Sequence, residues 1–371
     1  MVTARKPGYD AVIAGYLGVD LTPGFPPARA AVPLGELLRP GRLVEVRGLG
    51  LSLGGAVANT GLAMKRFGLR VALMGRVGRD ALGDRALAML REHGAARGIL
   101  RSRRAGTAYG IVIAPPGTDR IFLEDPGCNA TFAARDIDYR TVGRSRLFHF
   151  GYPTLMRAMY AGGGAELRRM FARVRRLGVA TSLDTTLPDP DGPAGALDWR
   201  KVLAAALPCV DIFVPSIEEL LAMLEPDEHA RMLRRARGGD IVGVVPERTF
   251  RRLGDRAVAL GVKVLMIKAG HRGAYLRTGR AELPRLALPR MNWSHREEWT
   301  RPLPVERRRM RNACGAGDAA AAGFLSAMLS GETLERAGRL AMIAGRDSLY
   351  GDDALRGLRD WAAMRRDLAG S

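Results

Sequence analysis

The chain has few cysteines, few lysines and no long apolar run, and each shortage excludes a class of protein. Three cysteines in 371 residues, none of them in a CxxC pair, exclude a disulfide framework and lack the spacing of a zinc site. No stretch approaches the roughly 20 apolar residues that a membrane-spanning helix needs, and the first residues lack the apolar core of a signal peptide. We therefore expect a protein of the reducing cytoplasm that has no membrane partner.

The formal net charge of +20 comes almost entirely from arginine, because five of the 58 basic residues are lysine. A strongly basic chain can bind nucleic acid. Here, however, the densest basic clusters, 101–104 and 306–311, contain no aromatic side chains on which bases could stack. We attribute the charge to a compositional preference for arginine and do not expect nucleic-acid binding, although the charge would attract phosphorylated ligands.

Short apolar segments alternate with helix-patterned segments, which predicts an α/β fold with a mainly parallel central sheet flanked by helices. Predicted strands cover 11–20, 70–75, 146–152, 179–184, 210–216 and 262–270, and predicted helices cover 54–68, 165–178, 199–207 and 316–330. Two regions, 42–53 and 106–127, have the patterns of antiparallel strands instead. We therefore expect one domain spanning 1–371, with a small β-sheet lid formed by about 18–53 and 106–127.

The segment RNACGAGDAAAAGFL, residues 311–325, places glycines directly before a run of small residues. A helix that begins here presents unpaired N–H groups and the positive end of its dipole to an anion. Gly315, Ala316 and Gly317 are small enough for a phosphate to approach the backbone. Asp318 falls in the first turn, where it can accept the proton of an attacking hydroxyl. The residues alone leave a second interpretation open, in which Asp318 only stabilises the helix N-terminus and Gly323 allows close packing.

Two motifs of the chain resemble the signatures of the PfkB carbohydrate kinase family, the ribokinase-like sugar and nucleoside kinases. The segment CGAGDAAAAGFL (314–325) is similar to the closing signature of that family except at its first residue. The segment GGAVANTGLAMKRFGLRVALMGRVGRDALGD (54–84) is similar to the other signature. The two motifs occur in the order found in the family, so the resemblance covers nearly the whole chain, including the lid.

The resemblance implies an enzyme that moves the γ-phosphate of ATP to a hydroxyl of a sugar or sugar-like substrate. Asp318 would then be the catalytic base, and Gly315, Ala316 and Gly317 would form the anion hole. The other implied roles are substrate binding by Asp20, Gly54, Gly55 and Asn59, nucleotide binding by Ser216, Lys268, Gly270 and Gly273, and binding of Mg²⁺ through water by Glu219 and Asp184. Relatives often form dimers through the lid sheet, so we also expect a homodimer.

Several alternatives stay open at this stage. The acceptor could be a nucleoside, or the protein could be a non-catalytic sensor of sugar or nucleotide, because fold does not determine function. The family's Asp-Thr-Thr before the glycines is Asn312-Ala313-Cys314 here, which leaves the need for a monovalent cation uncertain. Ser216 also replaces an asparagine of the family. On the residues alone, Glu219 is an ordinary first-turn acid and His149 an ordinary core histidine. Asp184 could equally orient metal-bound water or substrate, or cap a turn.

Overall fold

The structure is a computed structural model that describes residues 8–26, 32–115, 120–237, 239–286 and 288–369. The strands in these residues are β1 (Tyr9–Gly15), β2 (Gly18–Pro23), β3 (Leu49–Gly54), β4 (Val71–Gly78), β5 (Ile99–Ser102), β6 (Ala108–Ile113), β7 (Ile121–Asp125), β8 (Ser145–Gly151), β9 (Ala180–Asp184), β10 (Ile212–Phe213), β11 (Val264–Lys268), β12 (Ala274–Thr278) and β13 (Glu297–Thr300). The helices are α1 (Leu34–Leu37), α2 (Ala56–Arg66), α3 (Ala81–Glu92), α4 (Tyr139–Gly143), α5 (Arg157–Arg176), α6 (Trp199–Ala206), α7 (Ile217–Leu224), α8 (Pro226–Ala236), α9 (Glu247–Ala259), α10 (Arg290–Trp293), α11 (Ala316–Leu329), α12 (Leu334–Ser348) and α13 (Trp361–Ala369).

Nine of these strands form a central sheet in the order β13-β12-β11-β10-β9-β8-β1-β4-β5. The pairs from β11 through β5 are parallel, and β12 and β13 add an antiparallel edge. One face of the sheet packs against an apolar cluster that includes α2, α3, α11 and α12, and the other against a cluster that includes α5, α6, α7 and α9. The predicted fold class is therefore confirmed, whereas the antiparallel edge was not predicted.

The prediction of one strand over 11–20 is wrong, because the chain changes sheets between β1 and β2. Gly15, the last residue of β1, has φ +126, a conformation that other residues rarely adopt. A Cβ atom at this position would lie 2.3 Å from the carbonyl oxygen of Gly151, at the end of the neighbouring strand β8. Tyr16 and Leu17 then carry the chain out of the central sheet and into β2 of the smaller one.

The smaller sheet has four strands in the order β3-β2-β6-β7, all of them within the segments that were expected to form the lid. Its β2–β6 pair is parallel and its other two pairs are antiparallel. Of the predicted strand 42–53, only 49–53 lies in this sheet, as part of β3. We call this four-stranded sheet the lid.

The register of the lid separates a polar face from an apolar face, since successive residues of a strand point to opposite sides. One row of paired residues crosses the four strands as Ser52, Asp20, Gly110 and Glu124, and the adjacent row on the opposite face is Leu51, Leu21, Ile111 and Leu123. Our sequence interpretation also placed Val44, Val46, Ile113 and Phe122 on the outer face with Ile111. Val44 and Val46 instead precede β3, and Phe122 shares the face of Glu124.

The strand order determines where a ligand can bind. In the central sheet, β4 and β5 lie on one side of β1, and β8 and the later strands lie on the other. The strand order therefore reverses between β1 and β8. Ligands of open α/β sheets bind at the carboxyl ends of the strands where the order reverses in this way. In this protein that point lies beyond Gly15 and Gly151. None of the described helices is long and apolar enough to cross a membrane.

We expect Gly323→Ala in α11 to lower the free energy of unfolding by about 1–3 kcal/mol, because the new methyl group overpacks the contact with α12. Its Cβ atom would lie 2.8 Å from the carbonyl oxygen of Leu340 and 2.9 Å from Cβ of Ala344. The matched control is Gly345→Ala, whose Cβ atom would meet its nearest neighbours at 3.4 Å. Denaturant unfolding should show the control as neutral or slightly stabilised, and equal losses in both variants would contradict this packing argument.

Candidate active site

The buried carboxylate of Asp318 is at the centre of the candidate site. Gly315 caps α11 in a left-handed conformation, φ +79, which glycine adopts readily. A Cβ atom at this position would also lie 2.4 Å from Cβ of Ala354, so a larger residue would not fit. The helix then places Asp318 in its first turn, where the residue is 2% exposed. The amides of Gly317 and Asp318 belong to the same turn, for which the helix itself supplies no acceptors.

Three side chains donate hydrogen bonds to Asp318. The amide Nδ2 of Asn59 in α2 and the hydroxyl of Tyr152 after β8 both donate to Oδ2, at 2.9 and 2.7 Å. The hydroxyl of Thr60 reaches Oδ1 at 3.3 Å, which is a long contact for an O–H donor. One carboxylate oxygen is therefore well satisfied, and the other retains capacity to accept a proton.

An ammonium group lies beside the start of α11. Lys268, at the end of β11, has its Nζ atom 3.6 Å from the point where a Cβ of Gly317 would be. The same ammonium donates to both carboxylate oxygens of the fully buried Asp184 at 2.8 and 2.9 Å. Burial lowers the pKa of Lys268, but the charges of Asp184 and Glu219 outweigh it and raise that pKa overall. The helix dipole and this cation together favour an anion at the N-terminus of α11.

The lid brings a second group of carboxyl groups to the opposite side of Asp318. Cβ atoms at Gly54 and Gly110 would lie 2.3 and 3.3 Å from Oδ1 of Asp20, so two glycines make room for this side chain. The position at Gly110 is also 2.6 Å from Oε2 of Glu124. Burial raises the pKa of Asp20 to about 6, and the charge of Asp318 adds to the shift.

Glu124 joins the lid to the central sheet. Although the residue as a whole is exposed on β7, its carboxyl group accepts a hydrogen bond from the buried hydroxyl of Tyr16. The partial burial of this carboxyl group raises its pKa to about 7, and the charges of Asp20 and Asp125 act in the same direction. The ring of Tyr16 lies 6.5 Å from that of Tyr152, so two tyrosines connect the lid acid with Asp318.

Ser216 and Glu219 are used locally as a capping box at the start of α7. The Ser216 hydroxyl accepts from the amide of Glu219 at 3.2 Å, and Oε2 of Glu219 accepts from the amide of Ser216 at 2.9 Å. The same Oε2 accepts from the Thr185 hydroxyl at 2.8 Å. Asp184 is bonded to Lys268. The described residues contain no group of three or more acidic, His or Cys side chains that could hold a metal ion directly. The arrangement fits Mg²⁺ held through its own waters.

The remaining candidates lie at the edges of the site. Gly270 and Gly273 form the turn between β11 and β12, and Gly273, with φ +94, would place a Cβ atom 2.1 Å from the carbonyl oxygen of Thr300. This contact explains the glycine structurally, and a role in nucleotide binding stays a prediction. His149 is buried in β8, where Nδ1 is 2.9 Å from the Ser182 hydroxyl and burial lowers its pKa to about 3. Asn312 braces its own loop, with Oδ1 accepting from the amide of Cys314 at 2.8 Å.

The structure thus brings the predicted site residues together in two groups. The group beside α2 and the lid contains Asp20, Gly54, Gly55, Asn59 and Asp318. The group at the carboxyl ends of β9, β10 and β11 contains Asp184, Ser216, Glu219, Lys268 and Gly317. Sequence reasoning placed Tyr152 at the end of the predicted strand 146–152, at the edge of the sheet where ligands bind, but gave it no role. It missed Tyr16, Thr60 and Glu124. These three carried no signal, because their positions depend on how the lid and α2 pack.

Comparison with known proteins now adds to this geometry. The model of the pfkB family carbohydrate kinases matches residues 30–346. An uncharacterised sugar kinase of Archaeoglobus fulgidus is 24% identical over 281 residues, which cover 75% of this chain and 91% of that protein. A probable fructokinase-4 of Arabidopsis thaliana is 25% identical over 189 residues, 50% of this chain and 57% of that protein.

Solved structures show the same fold. Arabidopsis thaliana ribokinase, complexed with ribose and ATP, superposes with a TM-score of 0.70 at 17% identity, covering 98% of this chain and 99% of that one. A putative ribokinase II from E. coli, in complex with ATP and Mg²⁺, gives 0.68 at 19% identity, covering 98% and 100%. At these identities the likeness shows the ribokinase-like fold with its separate small sheet.

We expect Asp184→Asn to lower the free energy of unfolding by about 3 kcal/mol or more, because it leaves the buried ammonium of Lys268 without its carboxylate. Glu306→Gln is the matched control, since the side chains of Arg309 and Glu306 are 60% and 66% exposed. That surface pair should contribute less than about 1 kcal/mol. Denaturant unfolding at neutral pH compares the two, and similar small losses would show that the Asp184 pair does not stabilise the fold.

Proposed function

This chain belongs to the pfkB family of carbohydrate kinases, and we propose that it moves the γ-phosphate of ATP to a hydroxyl of a neutral sugar. The observation that carries the proposal is the position of Asp318, buried in the first turn of α11 with Lys268 on one side and the lid carboxyl groups on the other. In a site that only binds anions, a carboxylate next to the phosphate would be repulsive. In phosphoryl transfer the same carboxylate accepts the proton of the attacking hydroxyl.

The transfer couples three changes of bonding. The acceptor oxygen bonds to the γ-phosphorus, the bond from that phosphorus to the bridging oxygen breaks, and ADP leaves with the electron pair. The acceptor proton passes to Asp318. The backbone of Gly315, Ala316 and Gly317 stabilises the charge on the transferring group, and loss of one such donor typically costs about 10²–10³ in rate. The Ala316 amide already makes a long bond, 3.4 Å, to the carbonyl oxygen of Ala313, so the amides of Gly317 and Asp318 are the better placed donors.

The nucleotide side of the site is the one where Lys268 lies beside the N-terminus of α11. We propose that the ammonium of Lys268 approaches the phosphates of ATP, with Ser216, Gly270 and Gly273 lining the same side. Mg²⁺ entering with ATP supplies charge neutralisation on the β- and γ-phosphates. Asp184 and Glu219 would hold it through its waters, which leaves their hydrogen bonds to Lys268 and to the α7 capping box in place.

The acceptor side is acidic, and this argues for a neutral acceptor. Asp20, Glu124 and Asp318 face the same space, and Asn59 adds an amide between α2 and α11. Carboxylates accept hydrogen bonds from sugar hydroxyls, whereas they repel the phosphate of a sugar phosphate or the carboxylate of a sugar acid. The names of the relatives, fructokinase and sugar kinase, support the same class of acceptor. None of the described cysteines forms a disulfide bond, which is consistent with a reducing compartment such as the cytoplasm.

We expect Asp318→Asn to lower kcat by roughly 10²-fold or more while the affinity for ATP stays close to wild type, because the amide cannot take up the proton. The measurement is ADP release with a panel of neutral sugars, sugar phosphates and nucleosides, together with ATP titration. Asp138→Asn, a change at the exposed cap of α4, is the control and should keep wild-type kcat. Near-normal turnover by the Asp318→Asn variant would show that Asp318 is not the catalytic base. A wild-type protein that turns over ATP with no acceptor would indicate a sensor instead.

We also propose that the protein is a homodimer that pairs through the apolar face of the lid. Leu49, Leu51, Ile121 and Leu123 on this face are each at least about one-third exposed. A four-stranded sheet with an uncovered apolar face and open edges invites pairing with a second copy. Each lid would cover the apolar face of the other, and Asp20 and Glu124 would be held over the acceptor by the assembled sheets.

We expect the double variant Leu51→Lys/Leu123→Lys to be monomeric by light scattering at tens of micromolar and to bind the acceptor sugar more weakly than wild type. The affinity for ATP should not change, because the nucleotide side belongs to the central sheet. Leu233→Lys, at an exposed leucine of α8, is the control for an added surface charge. A wild-type protein that is monomeric at these concentrations and fully active would rule the dimer out.

A further inference from the structure

Tyr152 has a backbone conformation that is unusual for its residue type. It follows the last residue of β8 with φ 65 and ψ 45, in the left-handed region where glycine or asparagine is normally found. This conformation is strained for a tyrosine. Its amide donates to the carbonyl oxygen of Asp184 at 3.2 Å, and its own carbonyl accepts from the amide of Leu155 at 3.1 Å, so both neighbouring segments hold it there.

The result of this conformation is the contact with Asp318. The Tyr152 hydroxyl donates to Oδ2 at 2.7 Å, the shortest of the three hydrogen bonds that Asp318 accepts from side chains. Nδ2 of Asn59 donates to the same oxygen, so Oδ2 receives two good donors. Oδ1 receives the Thr60 hydroxyl at 3.3 Å. The donors are therefore distributed unevenly between the two oxygens of the proposed base.

The Tyr152 hydroxyl is also a permanent donor. Burial raises its pKa well above the ordinary value of a tyrosine, and the charges of Asp318, Asp184 and Glu219 add to the shift. The charged groups around Asp318 are Asp20 from β2, Asp184 from β9 and Lys268 from β11. The described side-chain hydrogen bonds of the carboxylate come instead from Tyr152, Asn59 and Thr60.

We propose that Tyr152 is a positioning residue that holds Oδ2 of Asp318, so that the proton of the acceptor hydroxyl is taken by Oδ1. This inference rests on the proposed function, in which Asp318 is the base. A donor on Oδ2 stabilises the ionised carboxylate and prevents it from rotating. This keeps Oδ1 in one place relative to the phosphate that we propose binds at the N-terminus of α11. The backbone strain at position 152 is then offset by the hydrogen bond that it makes possible.

The kinetic test is the dependence of kcat on pH at saturating ATP and sugar. In Tyr152→Phe the carboxylate of Asp318 has lost a donor to its charged form. We expect the acid limb of the profile to move up by about one pH unit, so that kcat falls about tenfold at the foot of the limb and is largely recovered on the alkaline plateau. Replacement by 3,5-difluorotyrosine, a stronger donor of nearly the same shape, should move the limb in the opposite direction.

Two controls separate positioning from simple loss of a hydroxyl. Tyr139→Phe removes a buried hydroxyl that has no hydrogen-bond partner among the described residues, and it should leave the profile unchanged. Tyr16→Phe breaks the bond to Glu124, not a bond to Asp318, and it should change the affinity for the sugar without moving the acid limb. A drop in kcat that is equal at every pH in Tyr152→Phe, or no change at all, would overturn the proposal.

A second measurement does not depend on turnover. In a double-mutant cycle on the free energy of unfolding, Tyr152→Phe and Asp318→Ala should be clearly non-additive, because each variant alone removes the same hydrogen bond. Additive effects would overturn the proposed contact even in a protein without activity. If the wild-type protein is active and the pH profile of Tyr152→Phe is unshifted, the role of Tyr152 is wrong and the proposed function stands. If the wild-type protein shows no turnover but the double-mutant cycle is non-additive, the contact stands and the proposed function is wrong.

Discussion

The close approach of the backbones at Gly15 and Gly151 is the constraint on which the rest of the site depends. Side chains at these two positions would overlap the neighbouring strand or Cβ of Ala56, which lies 2.1 Å from the position of a Cβ at Gly151. With both side chains absent, β1 and β8 end side by side and α2 begins directly above them. The next residue of each strand is a tyrosine, and the two tyrosines diverge from this point, one towards the lid and one towards α11.

This geometry places different groups on the two sides of Asp318. On one side, the amides that open α11 and the ammonium of Lys268, which is paired with Asp184, are donors that suit an anion. On the other side are the carboxyl groups of Asp20 and Glu124, and burial raises their pKa values to about 6 and 7. The charge of Asp318 adds to the pKa shift of Asp20, and the charge of Asp20 adds to that of Glu124. An anionic group suits the first side and neutral hydroxyl groups suit the second, as the proposed transfer from ATP to a sugar requires.

Sequence reasoning predicted the parts of the site that lie within one continuous segment. The spacing of Gly315, Gly317 and Asp318 at the start of a helix pattern was enough to predict an anion site with an acid beside it. The alternation of apolar segments predicted the central sheet. Contacts between distant segments were out of reach. Lys268 and Asp184 were assigned separately to nucleotide and metal, and only the adjacency of β9, β10 and β11 brings them into an ion pair. Glu124 reaches Asp20 through the parallel register of β2 with β6, which no local pattern indicates.

The two faces of the lid have a consequence for how this sheet can change during evolution. Asp20 and Leu21 are consecutive residues of one strand, yet the first belongs to the acidic row and the second to the apolar row. Insertion or deletion of a single residue before them would exchange the rows, with leucines turned to the acceptor and carboxylates turned to the outside. Neither property can be altered by such a change without loss of the other. The strand can lengthen or shorten without penalty only in steps of two residues, or through a bulge that restores the alternation.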